Sequence, residues 1–523
     1  MIQSIIIALT TVLITILSRK IYLYLSQVNT NNYLSNIVFN IISKTSYGDK
    51  IIKKRLDTAK KNLQNEFINN NIDIPLVLDI PKYGINETTI INRLCGLQKN
   101  DCKWKDGRAF GYIYHGGEEH SCLLNKAYEL YAHTNPLHAS AFSSTRILEA
   151  EVIRMTARML HGSNEVCGTM TSGGSESIIL AVKAARDCFL SKNPNATPEI
   201  ICCNTVHAAF VKAAKYFNIK IIITKLDCEY KSNPELYSRN INNNTMMMVV
   251  SAPCYPYGII DRVEDISEIA FKNNIWLHVD ACLGGFLLPW LPSVGYDTPK
   301  FDFRLSGVTS MSCDTHKYGF CSKGTSIVLY KNPKYRQYQY FCWSKWTGGL
   351  FASPSITGSR PGGLIAAAWT SLVSIGEDGF IRYAKQLMET KNKLVNEINN
   401  IGLEIIGNPD MCVFAIKSAC KNLNIFVLAD KLEYKGWYIE RQQNPNSLHF
   451  TITLRHIENI DEFVSDLRTS VKDSLGIKPT GKAAIYGNAV SITHPEVVDE
   501  ILLHYVGIVN DSIDECGILA IDN

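Results

Sequence analysis

The sequence predicts an α/β protein: a large domain on a mainly parallel sheet, followed by a smaller C-terminal α/β domain. From about Pro136 onward, short Val/Ile-rich runs alternate with helical stretches, the pattern of a parallel sheet covered on both faces. After Gly379 a long helical pattern, Phe380 to Asn399, leads into a second, separate set of short runs. The chain has 523 residues, 46% of them apolar, which exceeds the size at which a single core stops growing, so two or more structural units are expected.

The elements follow in chain order. Ile5 to Leu17 is an apolar run broken only by threonines, followed by Arg19-Lys20 and a second apolar patch, Ile21 to Leu25. The first run is short for a ~30 Å hydrocarbon core, but the span to Leu25 crosses it if Arg19 and Lys20 snorkel or the bilayer thins. A cleaved signal peptide is the competing reading. No charged region precedes the run, no small-residue cleavage site follows it, and the positive charges lie on its C-terminal side. These features favour an uncleaved anchor over residues 1–25 with the bulk of the chain in the cytosol. Residues 26–135 read as an N-terminal stem and arm that includes a helical stretch, Lys50 to Asn69.

The large domain is placed at 136–385. Strands are expected at Glu165–Thr171, Glu199–Cys203, Ile219–Ile223, Met247–Ser251 and Ile275–Val279. A helix over Ser175–Leu190 puts Ile178, Val182, Ala185 and Phe189 on one face. In such a sheet, ligands gather at the carboxyl ends of the strands. The smaller domain, 386–523, is expected to carry strands at Leu403–Ile406, Val413–Lys417 and Leu448–Leu454.

A formal charge of +4 over this length is near balance, and beyond Lys53-Lys54-Arg55 there is no basic block, which argues against nucleic acid as a partner. The 16 cysteines include no CxxC pair and no His/Cys cluster at zinc spacing, so no metal site is expected. Several, such as Cys202, Cys203 and Cys282, sit in apolar runs and read as reduced thiols of a cytosol-facing protein.

Three elements carry chemistry. Thr171-Ser172-Gly173-Gly174-Ser175-Glu176-Ser177 follows a strand and opens a helix, so backbone N–H groups, the helix dipole and hydroxyls converge where an anion can sit. Taken alone, the motif is equally a tight turn with Ser175 as N-cap. Asp280 ends the run Ile275-Trp276-Leu277-His278-Val279, and Ala281 to Gly285 after it allow a flat ligand to approach. The plainer alternative is an aspartate capping the next segment.

The third element is Asp314-Thr315-His316-Lys317-Tyr318-Gly319. In this order the three fit an enzyme that holds pyridoxal 5'-phosphate (PLP) as a Schiff base on Lys317. Asp280 would keep the ring nitrogen protonated so that the ring acts as an electron sink, and the glycine turn would cradle the phosphate. Lys317 must lose its proton to make that link, and burial in a desolvated pocket or near cations is expected to lower its pKa. His316 can bind the cofactor phosphate. His207 can stack on the ring, although a histidine at a strand–helix junction is commonly structural.

Together with Asn135-Pro136-Leu137-His138, Ser144-Thr145-Arg146 before Glu149-Ala150-Glu151, Met170 to Ile178, Asp314 to Phe320 with Lys323-Gly324, Gly358 to Gly363, and Ala484-Ile485-Tyr486-Gly487, the chain resembles a known group. It is similar to the fold-type I PLP enzymes of the group II decarboxylase superfamily, and within it to the sphingosine-1-phosphate lyases, from about Lys105 to Tyr505. Two departures stand out. Ser175 takes a place where the family commonly has threonine, and Phe110-Gly111-Tyr112-Ile113-Tyr114 is a loose match to the family's Ser-Gly-x-x-Tyr.

The resemblance implies a seven-stranded sheet in the large domain. It implies Lys317, Asp280 and His207 as catalytic residues, joined in holding the cofactor by Gly173, Gly174, Ser175 and His316. Gly358 and Ser359 would reach the cofactor of the partner subunit, which makes an obligate homodimer with active sites at the subunit interface. Tyr114, Asn135, His138 and Lys323, with Tyr257 as a further candidate, are assigned to the substrate phosphate, which needs charge-assisted donors.

The implied reaction is PLP-dependent retro-aldol cleavage of the C2–C3 bond of phosphorylated sphingoid bases, giving a long-chain aldehyde and phosphoethanolamine in sphingolipid catabolism. The implied location is the endoplasmic reticulum membrane, single-pass, with the catalytic domain facing the cytosol. Two alternatives remain at this point: an amino-acid decarboxylase of the same superfamily, and an inactive membrane-tethered binding scaffold. Lys323, His138 and Tyr114 discriminate against the first, since a decarboxylase has no distal phosphate to hold.

Overall fold

A computed structural model describes residues 77–99, 101–111, 113–479 and 495–510, together with Asp57 and Ala483. The anchor expected over 1–25, all but one residue of the Lys50–Asn69 helix, Tyr112 and the Ala484–Gly487 motif lie outside the described residues. The chain divides into two compact units, Cys102–Lys478 and Met1–Asp101 with Pro479–Asn523. The latter contributes the helices Glu87–Gln98 and Pro495–Asn510. The former holds every strand found among the described residues.

The large sheet of Cys102–Lys478 comprises β1 (Cys167–Thr171), β2 (Glu199–Cys203), β3 (Lys220–Thr224), β4 (Thr245–Ser251), β5 (Trp276–Asp280), β6 (Val308–Cys313) and β7 (Ser326–Tyr330), in the order β1-β7-β6-β5-β4-β2-β3. β7 runs antiparallel to β1 and β6, and the remaining pairs are parallel, so the sheet is seven-stranded and mainly parallel. The five strands expected from sequence match to within two residues at each end. β2, β4, β5, β6 and β7 are buried at every position, as strands covered on both faces must be, while the edge strand β3 is partly exposed.

Helices α1 (Glu118–Tyr131) and α2 (Ser143–Met159) precede β1. α3 (Gly174–Leu190) packs on β4, β6 and β7 through a stripe that includes Ile178, Ala181, Val182 and Ala185, and α4 (Ala208–Tyr216) packs on α3 with Phe210 fully buried. α5 (Val263–Lys272) precedes β5. The hairpin strands β8 (Phe341–Trp343) and β9 (Phe351–Ser353) come next.

The long helix α6 (Gly362–Ile401) packs along α1 and α2 and departs from helical geometry at Gly376, which has φ +62°. Its apolar side contributes Ile365, Ala367, Ala368, Leu387 and Leu394 to the core. Among the described residues it alone has the length and apolarity to cross a membrane, and that apolar side is spent on packing. The boundary expected near residue 385 falls within this helix.

A second sheet of β10 (Leu403–Ile405), β11 (Val413–Ser418), β12 (Glu440–Gln442) and β13 (Ser447–Thr451) is antiparallel, in the order β10-β11-β13-β12, with helices α7 (Ile425–Tyr434) and α8 (Ile460–Ser474). Phe110 reaches into its core. Its ring stacks on His456 at 4.2 Å and meets Phe450 and Phe463 at 5.0 and 4.8 Å. Backbone bonds from Phe110 N–H to Tyr438 O and from Tyr438 N–H to Arg108 O tie the arm to this sheet, so Tyr114 starts from a fixed point.

Topology decides where the chemistry sits. β1, β5 and β6 run the same way, so Thr171, Asp280 and Cys313 end at one edge, and the antiparallel β7 starts there at Ser326. The segment 314–325 therefore crosses the carboxyl edge, where open α/β sheets bind ligands.

Candidate active site

Lys317 Nζ lies 2.9 Å from Asp314 Oδ2, and the same oxygen is 3.8 Å from His316 Nε2. Burial disfavours the Lys317 ammonium, but the Asp314 carboxylate outweighs it and holds the lysine above its ordinary range. The expected lowering is thus reversed, because an acid three residues earlier shares its pocket. Burial likewise opposes the Asp314 carboxylate, yet Lys317 and then His316 bring it below the usual range. His316 Nδ1 donates to Thr325 O across the loop. Burial pushes this imidazole below its ordinary range against the pull of Asp314.

The lysine's loop is clamped from two helices. Ser371 of α6 donates to Gly319 O at 2.7 Å, and His120 of α1 bonds Phe320 O and Ser371 Oγ, each at 3.1 Å. Phe320 has φ +53°, a left-handed conformation that costs about 1 kcal/mol or more in a non-glycine residue and needs such support.

The turn into α3 is built from Ser172, whose N–H and hydroxyl both donate to Glu176 Oε2, at 2.7 and 2.6 Å, and from Thr171 and Ser177, whose hydroxyls meet at 2.6 Å. A Cβ at Gly174 would stand 2.8 Å from both Asp314 oxygens and 2.9 Å from Cys282 Sγ, so only glycine lets the helix start lie against the lysine's partner. At Gly173 the nearest atom to such a Cβ is His316 Cε1 at 4.0 Å, which leaves open space in front of the first helical N–H groups. Asp280 is buried, and its Oδ1 accepts from Cys282 N–H and Ser312 Oγ, both at 3.1 Å. An open helix start, a buried carboxylate at a strand end of the same edge and a lysine paired with Asp314 fit PLP.

Tyr114 is buried with its ring 5.0 Å from that of Tyr318, and Lys323 Nζ stands 5.1 Å over the Tyr114 ring. Desolvation, then the Lys317 ammonium, push Lys323 below the ordinary lysine range. Burial pushes the Tyr114 phenol up. The structure thus groups Gly173, Gly174, Asp280, His316, Lys317, Tyr114 and Lys323, with Ser175 exposed at the helix start.

Other expected residues fall elsewhere. Asn135 Nδ2 donates to Ser359 Oγ at 3.0 Å, and its Oδ1 accepts from Arg360 N–H at 3.3 Å. Arg360 forks onto Glu149 at 2.7 and 2.9 Å. His138 follows one turn later with an exposed side chain. Among the described residues no hydrogen bond or ion pair joins this corner to the Lys317 group. His207 is exposed and caps α4, its Nδ1 accepting from Ala209 N–H at 3.1 Å. Tyr257 is buried with its hydroxyl donating to Asn444 O at 3.2 Å. Two residues earlier, Tyr255 stacks on His449 at 4.1 Å and feels the Lys317 charge.

Sequence reasoning gave no role to Asp314, Tyr255 or His120. Asp314 sits inside the lysine's motif at i−3, a spacing that signals an ion pair. For the tyrosine, the sequence pointed to Tyr257 and nothing in Tyr255-Pro256-Tyr257 marked its neighbour, and His120 had no linear signature at all.

The pyridoxal-dependent decarboxylase conserved domain matches residues 97–415. A sphingosine-1-phosphate lyase of Oryza sativa subsp. japonica is 44% identical over 82% of this chain and 81% of its own length, and sphingosine-1-phosphate lyase 1 of Rattus norvegicus is 41% identical over 89% and 83%. A solved sphingosine-1-phosphate lyase of Burkholderia pseudomallei superposes with a TM-score of 0.74 at 34% identity, covering 80% of this chain and 96% of that one. The chain belongs to the PLP-dependent sphingosine-1-phosphate lyases.

Proposed function

We propose that this chain cleaves the C2–C3 bond of phosphorylated sphingoid bases, releasing a long-chain aldehyde and phosphoethanolamine. The observation that carries the reading is Lys323 over Tyr114 beside Lys317: a cation and a phenol placed for a substrate phosphate, which an amino-acid decarboxylase does not need. Bound PLP supplies the sink for the electron pair released when the C2–C3 bond breaks. Lys317 would hold it covalently, Asp280 would pair with its ring nitrogen, and Gly173, Gly174, Ser175 and His316 would surround its phosphate.

The chain's own residues do the rest. Lys323 and Tyr114 bind and orient the substrate phosphate, which fixes C2 and C3 over the ring. The C3 hydroxyl proton passes to a base as the bond breaks, and a proton returns to C2. Lys317, Tyr114 and Tyr255 are the groups at hand for these transfers. His207 would stack on the ring and Tyr257 would assist phosphate binding, in addition to their capping and packing contacts.

The Asn135–Ser359–Arg360 corner, with Gly358 and His138, serves the partner subunit's site in a homodimer. The chain is held at the endoplasmic reticulum membrane by residues 1–25 with the catalytic part in the cytosol, which suits a lipid phosphate met at a bilayer surface.

The test is a comparison of sphingosine 1-phosphate with sphingosine for the wild type and Lys323→Ala, with PLP absorbance followed in parallel. The reading expects aldehyde release only from the phosphorylated base, with Lys323→Ala slowed while its absorbance stays intact. Equal turnover of both bases would overturn it.

A further inference from the structure

Beneath Asp280 lies a set of buried polar groups with no part in the roles above. Trp276, His278 and Asp280 alternate onto one face of β5, and the register sets His278 opposite Ser310 and Asp280 opposite Ser312 on β6. Trp276 Nε1 donates to Ser310 Oγ at 2.7 Å. His278 Nδ1 is 2.8 Å from that hydroxyl, and its Nε2 is 3.2 Å from Ser312 Oγ. Ser312 Oγ donates to Asp280 Oδ1 at 3.1 Å.

The proton order follows from what each group can do. Ser312 gives its proton to Asp280, so it accepts from His278 Nε2, and a neutral ring then leaves Nδ1 bare to accept from Ser310, which itself accepts from the indole N–H of Trp276. Burial pushes His278 down to about 4, so the ring is neutral at physiological pH and carries its proton on Nε2. That proton goes to Ser312, which the Cys282 thiol also approaches, and the Ser312 proton goes to Asp280. Ser310, His278 and Ser312 are completely buried, where any unpaired polar group is costly and apolar residues would pack without this requirement.

We propose that Trp276, Ser310, His278 and Ser312 form an oriented donor relay that holds Asp280 as the acceptor for the pyridine nitrogen, with His278 and Ser312 as positioning residues. Aligned dipoles ending on the carboxylate stabilise its negative charge and fix its plane. The inference rests on the assignment of Asp280 to the ring nitrogen.

The experiment titrates cofactor-free full-length chain with PLP and with the carbocyclic analogue in which CH replaces the ring nitrogen, reading both dissociation constants by fluorescence. The wild type is expected to prefer PLP, and Asp280→Ala to lose the preference. Ser312→Ala is expected to bind PLP about tenfold more weakly, the worth of one hydrogen bond to a charged group, with affinity for the analogue unchanged. Ser312→Thr, which keeps the hydroxyl, is expected to behave as the wild type, and His278→Phe as Ser312→Ala.

Should Ser312→Ala weaken both ligands equally, or neither, while Asp280→Ala loses the preference, the relay is wrong and the Asp280 assignment stands. Should Asp280→Ala keep the wild-type preference, that assignment fails and takes the relay with it.

Discussion

The Lys317 pocket and the Asn135–Ser359 corner answer opposite demands. The pocket is built inward: Asp314, Asp280 and Tyr114 are each less than a tenth exposed, and the lysine's loop is tied to α1 and α6 by His120 and Ser371. The corner is held at its base. There Arg360 forks onto Glu149, and a Cβ at Gly362 would fall 1.9 Å from Thr134 Oγ1. His138 is exposed, and Ile356, three residues before Ser359, is 61% exposed. The lesson is one of division: the Lys317 group is packed into the interior of one chain, whereas the corner leaves polar side chains open to solvent.

The largest effect that separates the two regions is expected from Lys317→Ala. It should abolish the absorbance of covalently held PLP and lower aldehyde release by more than about 1000-fold, ~4 kcal/mol of barrier, whereas a corner variant, Asn135→Ala with Ser359→Ala, should keep the absorbance. Absorbance lost in both would break the division.

Mixing those two variants after partial unfolding and refolding sharpens it. Sites assembled from two chains predict recovery to roughly a quarter of wild-type activity, since half the dimers are mixed and each mixed dimer has one intact site. Sites complete within one chain predict no recovery.

Within the pocket, Lys323→Ala should lower kcat/KM about 100-fold, as expected for a hydrogen-bonded charge worth 2–3 kcal/mol, and leave PLP binding unchanged. A smaller effect concerns pH. Desolvation and Lys317 push Lys323 below the ordinary lysine range, so raising pH strips its proton early and kcat/KM should fall on an alkaline limb. Lys323→Arg should move that limb upward; a limb that stays in place would assign it to another group.

Much of the pocket was legible in the sequence because it hangs on linear features. The glycine turn, the strand-end Asp280 and the motif around Lys317 each occupy a few consecutive residues, and the strand order brings them to one edge. The parts that were not legible are those made by packing. The raised pKa of Lys317 depends on the Asp314 side chain turning back onto Nζ, and the place of Tyr255 near Lys317 depends on His449 from β13 stacking on it. β6 and β7 were not among the strands read from sequence. In β6 the branched aliphatic pattern is broken by serines whose partners, His278 and Asp280, come from the neighbouring strand.

The most direct test of the central claim is product analysis with purified full-length chain, PLP and sphingosine 1-phosphate. The account predicts long-chain aldehyde and phosphoethanolamine in equal amounts, dependent on Lys317. Carbon dioxide release from an amino acid with no aldehyde from the lipid phosphate would contradict it.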